Sequence, residues 1–308
     1  MWFKNLAVYR LQETVFIRSV LNEALLQRPF TPCQAQDEFS FGFVPPVNES
    51  SDVLVREVAL HLMVCGKKEE RILPSAAINE ELAKRLKEIE EREARKLPAK
   101  ERLRMKDELI FELLPRALTK SAKTFAYIDL ANGYLIVDSA SSKKAEDLLR
   151  QLRKCLGSLP VVPLQAIVKP AGVMTQWVTD PENCLPAGFA LDDECELRSP
   201  DKTGGVIRGK HCEGDAGEWA RSHIEAGMVV HKLALTWRDR ISFTLDANLA
   251  IKRLKFLDLV QEQAADTEAF DEAEQFDGDF TIMAGEIANL LADLVEAFGG
   301  RPEQAATS

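Results

Sequence analysis

Asn132-Gly133, set between the apolar runs 124–131 and 134–138, constrains this chain more than any other local feature. Both residues tolerate positive φ, so the pair favours a two-residue hairpin turn whose twist matches its strands. An antiparallel ribbon is therefore expected near the middle of the sequence. A helix is predicted from Ser141 or Ser142 to Leu156, with Gly157 past its end, and residues 161–168 follow Pro160 as a further strand.

The flanking segments mix strands and helices. Residues 2–11 and 39–44 read as strands, and 14–27 as a helix with a stripe at Ile17, Val20, Leu21, Ala24 and Leu25. Residues 58–65 and 69–73 are expected to form a hairpin around Gly66-Lys67-Lys68. Two helices, broken at Pro98, are predicted over 75–114. Their first part has a thin apolar stripe and four Glu-to-base pairs at i,i+4, namely Glu80–Lys84, Glu81–Arg85, Glu88–Arg92 and Glu91–Arg95. They form either a projecting arm or a solvated surface helix along the body. From 169 to 227 the apolar pattern thins, leaving short helices near 173–178 and 217–226 and a loop near 204–214. Strands follow at 228–237, 240–245 and 250–256, then a helix at 280–298. Without a regular βαβ repeat, the class is α+β. The expected division is a central body (1–74, 122–169, 228–308), a helical arm (75–121) and a smaller subdomain (170–227).

Charge is unevenly placed. The 308 residues carry a formal −10, yet 257–308 hold thirteen acids and one base, while 95–169 hold fifteen bases and eight acids. A basic surface can therefore exist on an acidic protein. The acidic end is either a tethered mimic competing for that surface or the polar side of the last helix. No apolar run reaches the length of a membrane span, and the N-terminus lacks a signal-peptide layout. Six scattered cysteines without a CxxC point to reduced thiols and a cytoplasmic protein.

Catalytic motifs are weak. Gly204-Gly205-Val206-Ile207-Arg208-Gly209-Lys210 fits GxxxxGK, but position 211 is His where Ser or Thr should hold Mg²⁺, and the preceding segment is polar and contains Pro200. The four histidines show no zinc spacing; His211 beside Cys212 offers at most a weak metal pair. The bases carry more information. Lys67, Lys68 and Arg71, then Arg116, Lys120 and Lys123, then Lys143 and Lys144, and finally Arg208 and Lys210 form local groups. Lys143 and Lys144 fall in the first turn of their helix, where cations are disfavoured unless an anion binds or the side chains reach solvent. No group is interleaved with aromatics, which favours backbone contact with a duplex over base stacking. No helix-turn-helix, zinc-finger or RRM signature offers sequence reading.

An ordered set of blocks resembles the RdgC family of recombination-associated bacterial proteins over nearly the whole chain. It includes Trp2-Phe3-Lys4-Asn5-Leu6, Lys67-Lys68-Glu69-Glu70-Arg71, Leu114-Pro115-Arg116-Ala117, Lys143-Lys144-Ala145-Glu146-Asp147, Gly204-Gly205-Val206-Ile207-Arg208 and Lys252-Arg253-Leu254-Lys255-Phe256. The resemblance implies a non-enzymatic, nucleoid-associated protein that binds double-stranded DNA, with single-stranded DNA bound more weakly. It also implies a ring-shaped homodimer around DNA, with the 75–121 arm as a dimer contact and 170–227 as a projecting finger, and antagonism of RecA-driven recombination; no cofactor, metal or membrane is expected. The family pattern has an aromatic residue just after the Leu-Pro-Arg-Ala block, where this chain reads Leu118-Thr119-Lys120-Ser121. The alternatives are a protein-interaction scaffold built on the arm and acidic end, and a nucleotide-dependent enzyme built on 204–210.

Overall fold

The computed structural model describes residues 1–12, 17–48, 51–201, 204–210, 217–265, 269 and 271–300. In chain order the first half contains β1 (Ala7–Leu11), α1 (Arg18–Leu26), β2 (Phe39–Val44), β3 (Val55–Val58), β4 (His61–Arg71), α2 (Ser75–Glu93), α3 (Ala99–Leu113), β5 (Thr119–Asp129), β6 (Tyr134–Val137) and α4 (Ser142–Leu156). The second contains β7 (Val161–Pro163), α5 (Pro170–Thr179), α6 (Pro181–Cys184), β8 (Phe189–Arg198), β9 (Val206–Lys210), α7 (Glu218–Glu225), β10 (Val229–Trp237), β11 (Ile241–Asp246), β12 (Ile251–Phe256), α8 (Asp258–Ala265) and α9 (Glu272–Ala297).

Two antiparallel sheets organise these elements, and the class is α+β. The first runs β2-β4-β5-β6-β1-β7, with β3 also paired to β4; the second runs β12-β11-β10-β8-β9. Each face of the first sheet has its own core, as alternation along a strand requires. Leu62, Val64, Ala126 and Ile128 pack with Leu148, Leu149 and Leu152 of α4 and Leu21 and Leu25 of α1. Met63 and Tyr127 point the other way, into a core shared with the second sheet and with Phe280, Met283, Ile287 and Leu291 of α9. The segment before β1 joins the sheets: Leu6 N donates to Ile251 O at 2.8 Å and Leu254 N to Lys4 O at 2.8 Å.

The hairpin expected around Gly66-Lys67-Lys68 is instead the interior of β4, an unbroken strand paired with β5 from His61↔Asp129 to Arg71↔Thr119. Gly66 serves close packing, not a turn. A Cβ there would stand 2.6 Å from Phe41 Cζ and 2.8 Å from Leu148 Cδ1. The β5–β6 hairpin is present, but its loop is longer than two residues, because the ladder ends at Asp129↔Tyr134. Buried Asp129 shapes that loop, accepting from Ala131 N at 3.0 Å, Asn132 N at 2.9 Å and Asn132 Nδ2 at 2.8 Å. Gly133 alone of the Asn-Gly pair takes positive φ, at 71°.

The stretch of thin apolar pattern contains two strands, β8 and β9, that complete the second sheet. Asp192, Asp193 and Glu194 hide β8 from a periodicity reading because one face of this sheet is charged. The expected loop near 204–214 is strand over Val206–Lys210; residues 211–214, with His211 and Cys212, lie outside the described residues. α9 begins well before position 280, capped by the Asp271 side chain, which accepts from Ala273 N and Glu274 N. α2 and α3 pack on one another, burying Ile78 and Leu109. Of the four expected helix pairs, Glu80–Lys84 and Glu81–Arg85 form, and Arg85 also reaches Glu112 on α3 at 2.7 Å.

Candidate nucleic-acid interface

Ladder register decides which bases can act together. On β4 and β5, Lys68 and Glu70 share the face that carries Lys120, which lies directly opposite Glu70. The β5–β6 ladder ends at Ala126↔Val137, with one further bond from Asp138 N to Phe125 O at 2.9 Å; among the described residues no strand pairs with 119–124 on that side, and this edge borders a groove of about 410 Å³. Lys4, Lys68, Lys120, Lys123 and Lys144 line it, against Glu70, Asp138 and Asp147. Lys144 arrives from the first turn of α4, where Ser141 caps the helix. Lys4 arrives from the chain start, held because Asp138 accepts from the N–H groups of Lys4 and Asn5 at 3.1 and 2.9 Å. A hydrogen bond from Lys68, at 2.9 Å, with the nearby charges of Lys120 and Lys144, holds the Glu70 carboxyl below its ordinary pKa. Lys68, Lys120 and Lys144, which sequence alone puts in three groups, thus converge with Lys4 added, whereas Lys123 pairs with Lys67 and its side chain belongs to the other face of the ladder.

The other expected residues are placed differently. Lys67 lies opposite Lys123 with its ammonium 4.6 Å over the Phe30 ring. Arg71 is engaged in the backbone, donating to Ala117 O at 2.8 Å and Gln34 O at 3.1 Å, and so ties the base of the helical pair to the segment before β2. Arg116 and Lys143 are exposed and do not line the groove. Arg208 and Lys210 sit on β9, in the other sheet.

There the outward face of the second sheet forms another charged surface, a depression of about 580 Å³. The ladder aligns Arg208 with Glu196, Lys210 with Glu194, and Lys232 with both Glu196 and Asp246. Glu196 is buried and serves as the hub. Its Oε1 accepts from Arg198 Nη2 at 2.8 Å, and its Oε2 from Arg208 Nε at 2.8 Å and Lys232 Nζ at 2.7 Å. Burial alone would raise its pKa, but hydrogen bonds from Lys232, Arg208 and Arg198 bring it down to about 2. One carboxylate therefore anchors three bases and leaves a local excess of positive charge, with Arg208 still largely exposed. Trp219 Nε1 donates to Lys210 O at 3.0 Å and pins the end of β9.

Lys232, Lys252, Arg253 and Lys255 were missed as candidate site residues, as was Lys4. Alternation signals the first, since Leu233, Leu235 and Trp237 are buried while Lys232 and Thr236 are not. Segment 204–210, read as an imperfect P-loop, enters an extended edge strand, the wrong geometry to cradle phosphates ahead of a helix. Among the described residues, no group of three or more His, Cys, Asp or Glu side chains is placed to hold a metal ion, and no helix is long and apolar enough to cross a membrane.

The chain is similar to known proteins over nearly its whole length. A family model described as "RdgC: Putative exonuclease, RdgC" matches residues 1–301. The "Recombination-associated protein RdgC" of Proteus mirabilis is 43% identical over 304 residues, covering 98% of this chain and 100% of the relative. The proteins of that description from Salmonella typhimurium and Salmonella typhi are each 44% identical over 306 residues, covering 99% of this chain and 100% of theirs.

Proposed function

The chain belongs to the RdgC family of recombination-associated proteins, and from that premise we propose that it binds double-stranded DNA without sequence preference. The observation that carries this reading is the groove in which Lys4, Lys68, Lys120 and Lys144 converge from distant parts of the chain. Ammonium groups gathered along one groove suit a phosphate backbone, and phosphate contact carries no sequence information. Single-stranded DNA lacks the second backbone and binds more weakly.

The reading extends to assembly and role. Two copies close a ring around the duplex, and occupancy of DNA restrains RecA-driven recombination in the nucleoid. The helical arm over 75–121 supplies one dimer contact and the 170–227 segment a finger at the ring's edge. Exposed Leu103 and Phe111 of α3 and the nearby Leu118, 78% exposed, favour the arm as a contact. The protein acts as a binder, without turnover of the DNA.

A gel-shift titration with a relaxed closed circle and a short linear duplex, at about 50 and 200 mM salt, tests these points. Salt-sensitive binding to both is expected, with retention on the circle after a salt challenge. No binding at low salt overturns the reading. Shortening of end-labelled duplex with added Mg²⁺ or Mn²⁺ overturns its non-enzymatic part.

A further inference from the structure

Strand β12 carries Lys252 and Arg253 in succession, followed by Lys255. In a regular strand, neighbours point to opposite faces. Here the β11–β12 register slips between Ser242 and Thr244, so that three steps on β12 match two on β11. Arg253 takes φ 53°, in the left-handed region, and Leu254 is buried. This bulge turns Arg253 onto the outward face, where it lines the same depression as Lys252. An arginine in that conformation is strained, and strain of this kind clusters at functional positions.

Two contacts hold it. Asn5 Oδ1 accepts from the Arg253 N–H at 3.3 Å, and Arg253 Nη1 donates to Glu194 Oε2 at 2.6 Å. Asn5 is also part of the wall of the lysine groove. Arg253, with a side chain 69% exposed, therefore stands where the groove of the first sheet meets the charged face of the second. Glu194 engages Nη1, and other N–H groups of the guanidinium fork can meet a phosphate oxygen.

We propose that Arg253 is a phosphate-contacting residue that joins the two basic surfaces into one duplex track, aimed by Asn5 and restrained by Glu194. The inference rests on the duplex-binding reading above. It gives the strained arginine, its asparagine support and its acidic partner one common purpose.

Salt titrations of a short linear duplex with the full-length protein and four variants provide the test. Arg253→Gly removes the side chain while accepting the positive φ, so the bulge is retained. Its slope of log affinity against log salt should be shallower by about 0.9, the value of one phosphate contact. Glu194→Gln should bind more tightly at low salt. Asn5→Ala should weaken binding, and the double variant Asn5→Ala/Arg253→Gly should bind no more weakly than Arg253→Gly, the non-additivity expected if Asn5 acts through Arg253. An unchanged slope and affinity in Arg253→Gly, with normal binding by the parent protein, overturns the inference and leaves duplex binding standing. Additive losses overturn the role of Asn5, and weaker binding by Glu194→Gln overturns that of Glu194. Failure of the parent protein to bind removes both the duplex reading and the inference.

Discussion

Asp277 on α9 receives both arms of Arg56 on β3, Nε to Oδ1 at 2.9 Å and Nη2 to Oδ2 at 2.5 Å. Three further acids of α9 are used in the same way. Asp279 takes the α-amino group of Met1 at 3.1 Å, Glu286 takes Arg240, and Asp293 takes Trp237 Nε1 and Arg238. These acids strap α9 to both sheets. Asp277→Asn should lower stability by about 1 kcal/mol, in line with a partly exposed ion pair, while leaving duplex affinity unchanged. The urea midpoint and a gel shift measure the two effects; tighter DNA binding would instead identify the segment as a competitor for the basic surface.

Glu196 links stability to acidity. Its carboxyl has a pKa of about 2 in the folded protein against an ordinary 4.5, so between those values the unfolded chain binds more protons. Stability from this group is therefore complete above about pH 4.5 and is lost as pH falls toward 2. A displacement of that size corresponds to on the order of 3 kcal/mol. Glu196→Gln should be less stable by about that amount at pH 7, and the gap should close under acid. Chemical denaturation at pH 7 and pH 3 checks the sign, and a constant gap would show that the hub's charge is not what stabilises.

Two neighbouring glycines should respond differently to a methyl group. In Gly42→Ala the new Cβ would stand 2.3 Å from Phe30 Cα, a backbone atom, whereas in Gly66→Ala it would meet the outer atoms of Phe41 and Leu148. Overpacking of this kind costs about 1–3 kcal/mol, and Gly42→Ala should fall at or beyond the upper end because backbone must move. Since Phe30 underlies Lys67, Gly42→Ala should also disturb that lysine. Thermal unfolding of both variants checks the order; equal losses would contradict it.

The bases divide into those that face the groove and those used in the fold. Lys68→Ala/Lys144→Ala should flatten the salt dependence of duplex binding by up to about 1.8, two contacts at about 0.9 each. Arg71→Ala, which removes two bonds to backbone carbonyls, should lower thermal stability and leave the salt slope alone. A shallower slope in Arg71→Ala, with stability intact, would return that residue to the binding surface.

Local patterning carried much of the fold. The β5–β6 hairpin, α4 with its serine cap, β10 to β12 and the stripe of α9 follow from alternation, helical spacing and capping, which depend on near neighbours. β8 was not legible, because its Asp192-Asp193-Glu194 stretch looks like loop until the sheet brings Lys210 opposite Glu194 and Arg253 within reach of it. Gly66 misled for a related reason: sequence gives glycine a turn's conformational freedom, whereas the fold needs its missing side chain. At the candidate site, charge clustering found Lys68, Lys120 and Lys144 but could not separate them from Lys123, on the other face of the ladder, or from Arg71, whose partners are backbone oxygens remote in sequence. Lys4 carried no cluster signal, since its neighbours in the groove come from β4, β5 and α4.

The sequence by itself determined the α+β class, the family and the segregation of acid from base, because these are properties of local pattern and of order along the chain. Tertiary structure alone decided which bases share a surface, since ladder register sets the face of each side chain and a single extra residue at Arg253 reverses it. It also decided that Asp277, Asp279, Glu286 and Asp293 are used within the fold: a carboxylate acts through the partner that stands within about 3 Å of it, and for Asp277 that partner is Arg56, brought there by the packing of α9 against the sheet.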